Sequence, residues 1–336
     1  MKRVWLARHL LVSACATVAL VATACTSPPP PPAGDPPLST REPLRPPGAI
    51  LDPPGVAPEG EYASTPEEWG WPGSLRPGTE EQRDGPNMQR IRERGRVLVG
   101  VDQSQYLLSY RDPSAGEMRG FEVDLAREIA RDVFGSPDHV EFRFVESASR
   151  AEALRSGDVD IVIRTMSVTP DRAKMVSFST PYLTSYVRML APRDSDVKSL
   201  EDLPGKTVCV VDGTNLLNLV REKVPGSEVL RTRSWSDCLM ALQQYQAFAV
   251  IGDDTLLAGM VAQDPLMEIF PERLAEQRYA VGVGLGNDDV VRQVNFTIER
   301  LRSDGTWTRM YNQWLRTSLA ESWLPRQMYA KEGETQ

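Results

Sequence analysis

Short apolar runs that alternate with helical patterns are the feature that most constrains how this chain can fold. The apolar runs form two successive series, at 97–101, 141–145 and 159–163 and then at 203–211, 228–231 and 248–251. Between them apolar residues recur at helical spacing, for example at Phe121, Leu125 and Ile129. Strands that alternate with helices form a parallel sheet with binding groups at the carboxyl ends of its strands. The chain is therefore predicted to be an α/β protein with two such units.

The amino terminus has the pattern of a secretory signal. Basic residues precede an apolar stretch at 10–22, and small residues then lead to Cys25. This pattern predicts a signal peptide over 1–24 that is removed on export, with Cys25 lipidated and anchoring the protein to the outer face of the cell membrane. Two alternatives stay open. Cys15 has a better local match but would leave the apolar stretch at about half the usual length, and plain secretion requires no lipidated cysteine.

Proline dominates the composition from residue 27 to about residue 87, where apolar residues are few. Such a segment buries too little surface to fold, and proline makes it extended and fairly stiff. We predict a disordered tether over 25–88 that holds the folded domain away from its anchor. Recognition by a proline-binding partner is the alternative. Trp69 and Trp71 are candidates for packing back onto the folded domain.

Charge and motif content argue against several classes of function. The chain has a formal net charge of −8 and no basic stripe, which disfavours a nucleic-acid partner. It has no phosphate-cradling loop, no serine-hydrolase or zinc-protease motif and no paired cysteines at metal spacing. Its one histidine after the signal, His139, lies in a predicted loop. We expect no metal, no cofactor and no enzymatic activity.

Cys209 and Cys238 remain once the first two cysteines are assigned to the signal and the anchor. Two cysteines in an exported domain favour a disulfide between them. Cys209 lies in a predicted strand and Cys238 in a predicted helix, an order that is compatible with contact. Two free buried cysteines are the alternative.

The segment 164–172 follows the third apolar run and is the first candidate for a ligand site. Thr169 and Pro170 form a helix start, with threonine as N-cap and proline at the first helical position. Arg172 then lies in the first turn, where the helix dipole disfavours a cation unless an anion lies nearby. Its guanidinium suits a carboxylate, and Ser167 and Thr165 are further donors. An ordinary capped turn with a solvated arginine is the alternative.

Several short motifs, each weak alone, occur in an order and spacing that resemble one family. These are Gly120-Phe-Glu-Val-Asp124, Asp158-Val-Asp-Ile161, Ser167-Val-Thr-Pro-Asp-Arg172, Phe178-Ser-Thr-Pro-Tyr182, Leu203-Pro-Gly-Lys206, Gly213-Thr214, Asp254-Thr255 and Asp304-Gly-Thr306. From about residue 90 to 315 the chain is similar to extracytoplasmic solute-binding proteins of the polar amino-acid family, notably glutamine- and glutamate-binding lipoproteins.

The resemblance implies a type II periplasmic-binding-protein fold, in which two α/β lobes are joined by two hinge strands and close on a ligand. The first lobe would comprise 89–190 and 280–318, and the second lobe 191–279. Residues 319–336 would form a carboxyl-terminal tail.

The resemblance also implies how the first lobe holds an amino acid. Arg172 would bind the α-carboxylate together with Ser167 and the backbone around Thr165. Met166, between these two, is included among the predicted ligand-binding residues.

The second lobe would complete the site. By the same resemblance, Thr214 and the backbone of Asn215 at a helix N-terminus would close on the carboxylate, and such a terminus is an anion site in its own right. Asp254 would bind the ammonium group. An N-cap role for Asp254 in the following helix is the alternative, and the two are compatible.

Selection of the ligand side chain is left to a third group of residues. The resemblance implies Asp102 as selector, with Tyr106 packing on the ligand. Arg164 stands where relatives often have a small residue, and its guanidinium favours an acidic amino acid or its amide, with glutamate and aspartate first. An Arg164–Asp102 ion pair, which would leave selection to neutral donors, is the alternative.

The function implied is capture of a polar amino acid by hinge closure. The monomeric protein would deliver its ligand to the membrane permease of an ABC importer. A sensor domain that signals to a membrane receptor would use the same cleft. A cyclohexadienyl-dehydratase-like enzyme on this fold is a further alternative, with Asp102 or Asp253 as the acid.

Overall fold

Two mixed β-sheets, each covered by helices, make up the two lobes of the protein. The computed structural model describes residues 44–60, 62, 65–319 and 324–331, and those from Arg45 onward belong to one compact unit. The predicted signal peptide, Cys15 and the predicted lipidation site Cys25 lie outside the described residues. No helix in the described part is long and apolar enough to cross a membrane.

Strands and helices follow the predicted alternation over most of the chain. The strands are β1 Ile50–Asp52, β2 Val97–Val101, β3 Ser104–Gln105, β4 Ser109–Arg111, β5 Met118–Arg119, β6 Val140–Phe144, β7 Ile161–Val162, β8 Val176–Phe178, β9 Leu183–Pro192, β10 Thr207–Val211, β11 Glu228–Thr232, β12 Ala249–Asp253, β13 Met267–Ile269, β14 Ala275–Tyr279 and β15 Gly282–Gly284. The helices are α1 Glu80–Arg83, α2 Pro86–Arg94, α3 Phe121–Phe134, α4 Arg150–Arg155, α5 Pro170–Ala173, α6 Leu216–Lys223, α7 Trp235–Gln243, α8 Asp254–Gln263, α9 Asp288–Ser303 and α10 Thr306–Trp314.

The first lobe contains the five-stranded sheet with order β6-β2-β7-β15-β8. Strand β2 pairs in parallel with β6 and β7, and all five of its residues are buried, as expected for a strand covered on both faces. Helix α3 buries Phe121, Leu125 and Ile129, the residues whose helical spacing marked it in the sequence. Burial of this apolar stripe against the sheet fixes where α3 lies.

The second lobe contains the sheet with order β1-β11-β10-β12-β9-β13, and β14 also pairs with β9. Strands β10, β11 and β12 are parallel to one another, whereas β9 is antiparallel to β12. A disulfide joins Cys209 in β10 to Cys238 in α7, with their Cα atoms 5.6 Å apart. The cross-link ties this helix to the centre of the sheet.

The predicted α/β fold with two lobes is confirmed, but one boundary is wrong. The chain crosses between the sheets after β8 and again between β14 and β15. Strand β9 belongs to the second sheet from Leu183 onward, because Leu183 already pairs with Tyr279 of β14. The first crossing therefore precedes residue 183 and does not fall at residue 190.

The disordered tether predicted over 25–88 is also wrong for the described residues from 45 onward. Within this range the chain forms β1, α1 and α2. The unpaired edge of β11 offers backbone partners to the apolar residues Ile50 and Leu51, and such an edge is where a proline-flanked strand is tolerated. Trp71 is 8% exposed and packs against Phe178 of the first lobe.

Candidate functional site

A narrow cavity between the two lobes brings together five of the ten predicted ligand-binding residues. From the first lobe it is lined by Ser147, Arg150, Thr165, Ser167 and Arg172, and from the second lobe by Thr214, Asn215, Leu216, Trp235, Asp253 and Leu256. The five predicted residues among these are Thr165, Ser167, Arg172, Thr214 and Asn215. Two parts of the chain that are distant in sequence therefore face each other across one polar space.

Arg172 lies at the cavity because α5 begins where the sequence predicted. The Thr169 side chain caps the helix by accepting from the Arg172 amide at 3.4 Å, and Pro170 is the first helical residue. The guanidinium donates to the Ser167 carbonyl oxygen at 3.0 Å and forms no ion pair within the described residues. Burial lowers the pKa of Arg172 to about 10, opposed by the charge of Asp253, so the group stays cationic at neutral pH.

A buried acid holds the loop that precedes Arg172. Thr165 has a φ of 43°, in the left-handed region that a β-branched residue rarely adopts. Its amide donates to Oε1 of Glu122 at 2.7 Å, and the Tyr182 hydroxyl donates to the same oxygen at 2.5 Å. Backbone strain of this kind persists when the surroundings fix the residue, and it is common at ligand sites. Glu122 thus positions the backbone of this loop toward the cavity.

Met166 takes a different place from the one predicted. Its side chain is 1% exposed and packs in the apolar core of the first lobe with Val168 and Phe178. Its carbonyl oxygen accepts from the Ala280 amide at 3.0 Å. An apolar side chain between two polar neighbours points inward, so Met166 supports the loop and does not line the cavity.

The second lobe presents the start of α6 to the cavity. Neither Thr214 nor Asn215 caps this helix with its side chain, because the Thr214 hydroxyl donates to the Val211 carbonyl oxygen at 2.7 Å and the Asn215 amide donates to Gln277 Oε1 at 3.4 Å. The first amides of α6 therefore remain available to an anion.

Gly213 marks a point where the lobes touch. A Cβ atom built on Gly213 would lie 2.6 Å from the Cα of Ala148 on the first lobe, and the residue has a φ of 70°. Arg233 of the second lobe also pairs with Glu146 of the first. Only glycine combines this backbone conformation with so close an approach. Because the two lobes touch at Gly213 and at the Arg233–Glu146 pair, the structure is that of a closed cleft.

Asp253 lines the cavity, whereas Asp254, the predicted ammonium ligand, lies outside it. Asp254 Oδ1 accepts from the Ser185 hydroxyl at 2.6 Å and from the Tyr186 amide at 3.1 Å, in a different cavity that also contains Arg188. The two aspartates follow each other at the end of β12, where successive side chains point to opposite faces.

The Asp253 carboxylate has one oxygen that can accept a hydrogen bond from a cation. It is 5% exposed, and its Oδ2 accepts from the Tyr279 hydroxyl at 2.5 Å. Its Oδ1 is buried and has no hydrogen-bond partner within the described residues. Burial raises the pKa of Asp253 to about 7 and the charge of Asp254 adds to this, whereas Tyr279 and Arg172 oppose it. A buried carboxylate oxygen without a partner is costly until a donor reaches it.

The predicted side-chain selectors lie away from the cavity. Arg164 and Asp102 are each 1% exposed and form a buried ion pair. Asp102 also accepts from the amide and the hydroxyl of Ser104, both at 2.7 Å, and Arg164 donates to the Ser147 hydroxyl. Of the two interpretations of Arg164, the ion pair is the one observed, because each buried charge needs a partner.

Tyr106 is also outside the cavity. Its ring packs on Tyr110 with centroids 4.8 Å apart, and 36% of the residue is exposed. Its carbonyl oxygen faces Gly259 of the second lobe, where a Cβ would lie 2.5 Å from it. Tyr106 therefore contributes to contact between the lobes.

Arg150 is a charged cavity residue that the sequence interpretation missed. It is 3% exposed and donates to four carbonyl oxygens, those of Ser147 at 2.9 Å, Arg164 at 3.1 Å, Thr165 at 3.4 Å and Gly213 at 3.5 Å. It has no carboxylate partner in the part of the chain that the structure describes, and burial together with the charges of Arg172 and Arg164 lowers its pKa. Like Arg172, it stands in the first turn of a short helix, and this was the signal available in the sequence.

Comparison with known proteins gives a family and several relatives that the chain resembles. Residues 97–317 match the family described as bacterial extracellular solute-binding proteins, family 3. The chain is 29% identical over 232 residues to the ABC transporter glutamine-binding protein GlnH of Bacillus subtilis (strain 168), covering 69% of this chain and 85% of that protein. It is 30% identical over 233 residues to the glutamate-binding protein GluB of Corynebacterium efficiens, covering 66% of this chain and 79% of that protein.

A solved structure of a solute receptor is also similar to this chain. The solute receptor for L-cysteine of Neisseria gonorrhoeae superposes with a TM-score of 0.66 at 29% identity, covering 69% of this chain and 95% of that chain. The region matched by the family contains every strand of the two lobe sheets except β1, and every residue that lines the cavity. The resemblance inferred from the sequence is thus confirmed, and the chain belongs to the bacterial extracellular solute-binding proteins of family 3.

Proposed function

We propose that this protein binds an acidic amino acid, glutamate or aspartate, in the cavity between its lobes. The observation that carries the proposal is the set of charges there. Arg150 and Arg172 are cations without a carboxylate partner among the described residues, and Asp253 is a buried carboxylate with one unpartnered oxygen. Buried charges of this kind are stable only when a ligand or another group pairs with them.

Each charged group of such a ligand has a counterpart in the cavity. The α-carboxylate would pair with Arg172 and with the free amides at the start of α6. The α-ammonium would donate to Oδ1 of Asp253. The side-chain carboxylate would pair with Arg150. A natural acidic amino acid satisfies all three contacts at once.

Charge balance favours an acidic ligand over its amide. Two guanidinium groups and one carboxylate leave the cavity with one uncompensated positive charge. Glutamate and aspartate carry one net negative charge at neutral pH, whereas glutamine and asparagine carry none. The amides would fit the first two contacts but would leave Arg150 without a counter-charge.

Binding would stabilise the closed cleft. Arg150 and Arg172 belong to the first lobe, whereas Asp253 and α6 belong to the second. A ligand that contacts both lobes binds the closed form more tightly than the open form and shifts the population toward closure.

We further propose that the protein acts as a monomer, anchored outside the cell through lipidated Cys25, and passes its ligand to an ABC importer permease. The relatives named above, including an ABC transporter binding protein, support this role over an enzymatic one. Signalling to a membrane receptor is the alternative use of the same cleft.

Calorimetric titration of the purified protein with each of the twenty amino acids tests the proposal. Glutamate and aspartate are expected to bind more tightly than glutamine and asparagine. Absence of binding, or a preference for arginine or lysine, would contradict it. Incubation with prephenate and arogenate is the accompanying assay, because product formation is the result that the dehydratase alternative predicts.

A further inference from the structure

Residues 45–60, 62 and 65–76 lie upstream of the family-matched region, and we call them the N-terminal strap. One part of the strap docks on the second lobe, where β1 pairs in antiparallel fashion with β11. Asp52 Oδ2 lies 2.7 Å from a guanidinium nitrogen of Arg221 and 3.1 Å from Nε of Arg231. The Gly55 amide donates to the Pro225 carbonyl oxygen at 2.8 Å. Backbone pairing and a shared carboxylate therefore fix this part to the second lobe.

The other part of the strap docks on the first lobe. The Trp71 ring meets Phe178 edge-on with centroids 6.4 Å apart. Ser74 is fully buried, donates to the Phe178 carbonyl oxygen at 2.6 Å and accepts from Asn295 Nδ2 at 2.7 Å. Because Phe178 belongs to β8 of the first sheet, the strap connects the lobes in addition to the two crossings of the fold.

Between these two parts, Tyr62 reaches the wall of the ligand cavity. Its hydroxyl oxygen accepts from Gln277 Nε2 at 2.5 Å, and Gln277 Oε1 accepts from the side-chain amide of Asn215 at 3.4 Å. Gln277 is 1% exposed, so these hydrogen bonds are shielded from water. Asn215 stands at the start of α6 and lines the cavity. Tyr62 thus orients, through Gln277, a residue of the ligand site.

The electrostatic surroundings of Tyr62 agree with this position. Burial raises the pKa of its hydroxyl, the charge of Asp253 raises it further, and the charge of Arg172 lowers it. The hydroxyl is therefore protonated at neutral pH and lies within electrostatic range of Asp253 and Arg172. Among the described residues its hydrogen has no acceptor, although Gln277 already donates to its oxygen.

Opening of the hinge would separate the two surfaces on which the strap docks, and release of the weaker attachment would accommodate this movement. The first-lobe part includes buried Ser74 and Trp71, whereas β1 is a three-residue strand at a sheet edge. Short edge strands are the weaker attachment.

We propose that the N-terminal strap is part of the ligand site, with Tyr62 positioning Asn215, and that amino-acid binding and docking of β1 stabilise each other. Coupling between two binding events is reciprocal, so a ligand that favours closure favours the docked strap to the same extent. The inference rests on the proposed function, because it requires an amino acid in the cavity.

Two conservative variants of the full protein test it. Tyr62→Phe removes the hydroxyl and keeps the ring, and Tyr245→Phe, at a residue 88% exposed on the second lobe, is its control. Asp52→Asn weakens the docking of β1 far from the ligand, and Glu222→Gln, at an exposed carboxylate of the same lobe, is its control. Affinity for L-glutamate is measured by calorimetry, and hydrogen exchange of the amides at 50–52 is measured with and without L-glutamate.

Tyr62→Phe and Asp52→Asn are each expected to weaken glutamate binding about 3- to 10-fold, the effect of one hydrogen bond or ion pair, while the controls do not. Glutamate is expected to slow exchange at 50–52 in the unmodified protein, and to slow it less in Tyr62→Phe. Affinities within two-fold of the unmodified protein for both variants, with exchange unaffected by glutamate, would overturn the inference. An unmodified protein that binds no amino acid would instead refute the proposed function, and the coupling with it.

Discussion

The Tyr279 hydroxyl donates to Oδ2 of Asp253 at 2.5 Å, and this fixes the carboxylate so that Oδ1 is left at the cavity without a partner among the described residues. Tyr279 lies at the end of β14, beside one of the two crossings between the lobes, and Asp253 ends β12. A hydrogen bond from the crossing region therefore orients the group that would receive the ligand ammonium.

Neighbouring aspartates provide a matched pair of variants. We expect Asp253→Asn to weaken glutamate binding by about 1.5–3 kcal/mol, because a charge-assisted hydrogen bond is lost. Asp254→Asn should leave the affinity nearly unchanged and should lower the thermal transition, since Asp254 accepts from Ser185 and Tyr186 away from the cavity. Calorimetry and thermal unfolding of both variants provide the comparison. A larger loss of affinity in Asp254→Asn would contradict the assignment.

Arg172 is expected to be required for binding and dispensable for folding. Arg172→Ala should abolish detectable binding of glutamate, because the ligand would lose the guanidinium proposed to bind its α-carboxylate. The ligand-free thermal transition should stay nearly the same, since the variant removes a buried charge that has no ion-pair partner among the described residues. Arg155→Ala, at an exposed arginine of α4, is the control. Retained affinity in Arg172→Ala would exclude this residue from the site.

Arg150 is expected to set the preference between acids and amides. Arg150→Met should reduce the affinity for glutamate by at least tenfold more than the affinity for glutamine, because only glutamate loses a counter-charge. Arg150 also donates to four carbonyl oxygens, so some loss of stability is expected. The ratio of the two affinities is measured on the same variant, and a general loss of stability does not change it. An unchanged ratio would show that another group selects the side chain.

The raised pKa of Asp253 predicts how binding depends on pH. The group titrates near 7 in the folded protein without ligand, compared with an ordinary value of 3.8. An ammonium ligand requires the ionised carboxylate, so glutamate affinity should rise between pH 5 and pH 8 and protons should be released on binding below pH 7. Calorimetry in two buffers of different ionisation enthalpy measures this release. Asp253→Asn should remove the pH dependence, and its persistence would assign it to another group.

The raised pKa of Asp253 gives the stability of the ligand-free protein a pH dependence opposite to that of glutamate affinity. Between about pH 4 and pH 7 the folded protein binds more protons at Asp253 than the unfolded chain does. The contribution of Asp253 to the free energy of unfolding is therefore largest at low pH and is lost as the pH rises toward 7. This contribution is measured as the difference in free energy of unfolding between the unmodified protein and Asp253→Asn over this pH range.

Much of the fold could be predicted from the sequence because its strands are local and strongly patterned. The apolar run that became β2 and the helical spacing of Phe121, Leu125 and Ile129 each suffice to identify their elements. Thr169 and Pro170 identified the start of α5 and hence the place of Arg172. These features depend on neighbouring residues only.

Other parts of the site depend on contacts that no local pattern contains. Asp253 and Asp254 are chemically equivalent in the sequence, and only the orientation of β12 in its sheet decides which of them faces the cavity. Arg164 became structural because Asp102, 62 residues earlier, lies beside it at the end of β2. The strap was misjudged for a similar reason, since Ile50 and Leu51 are ordered by the edge of β11, far along the chain.

We expect the cross-link between Cys209 and Cys238 to make ligand binding sensitive to the redox state of the surroundings. It closes a loop with a sequence separation of 29, for which chain entropy gives a stabilisation of about 3–4 kcal/mol. That is a sizeable part of the roughly 5–15 kcal/mol that keeps a typical domain folded. Thr214 and Asn215 follow β10, the strand that this bond secures, so a reductant would destabilise the second-lobe side of the cavity while leaving Arg150 and Arg172 in place.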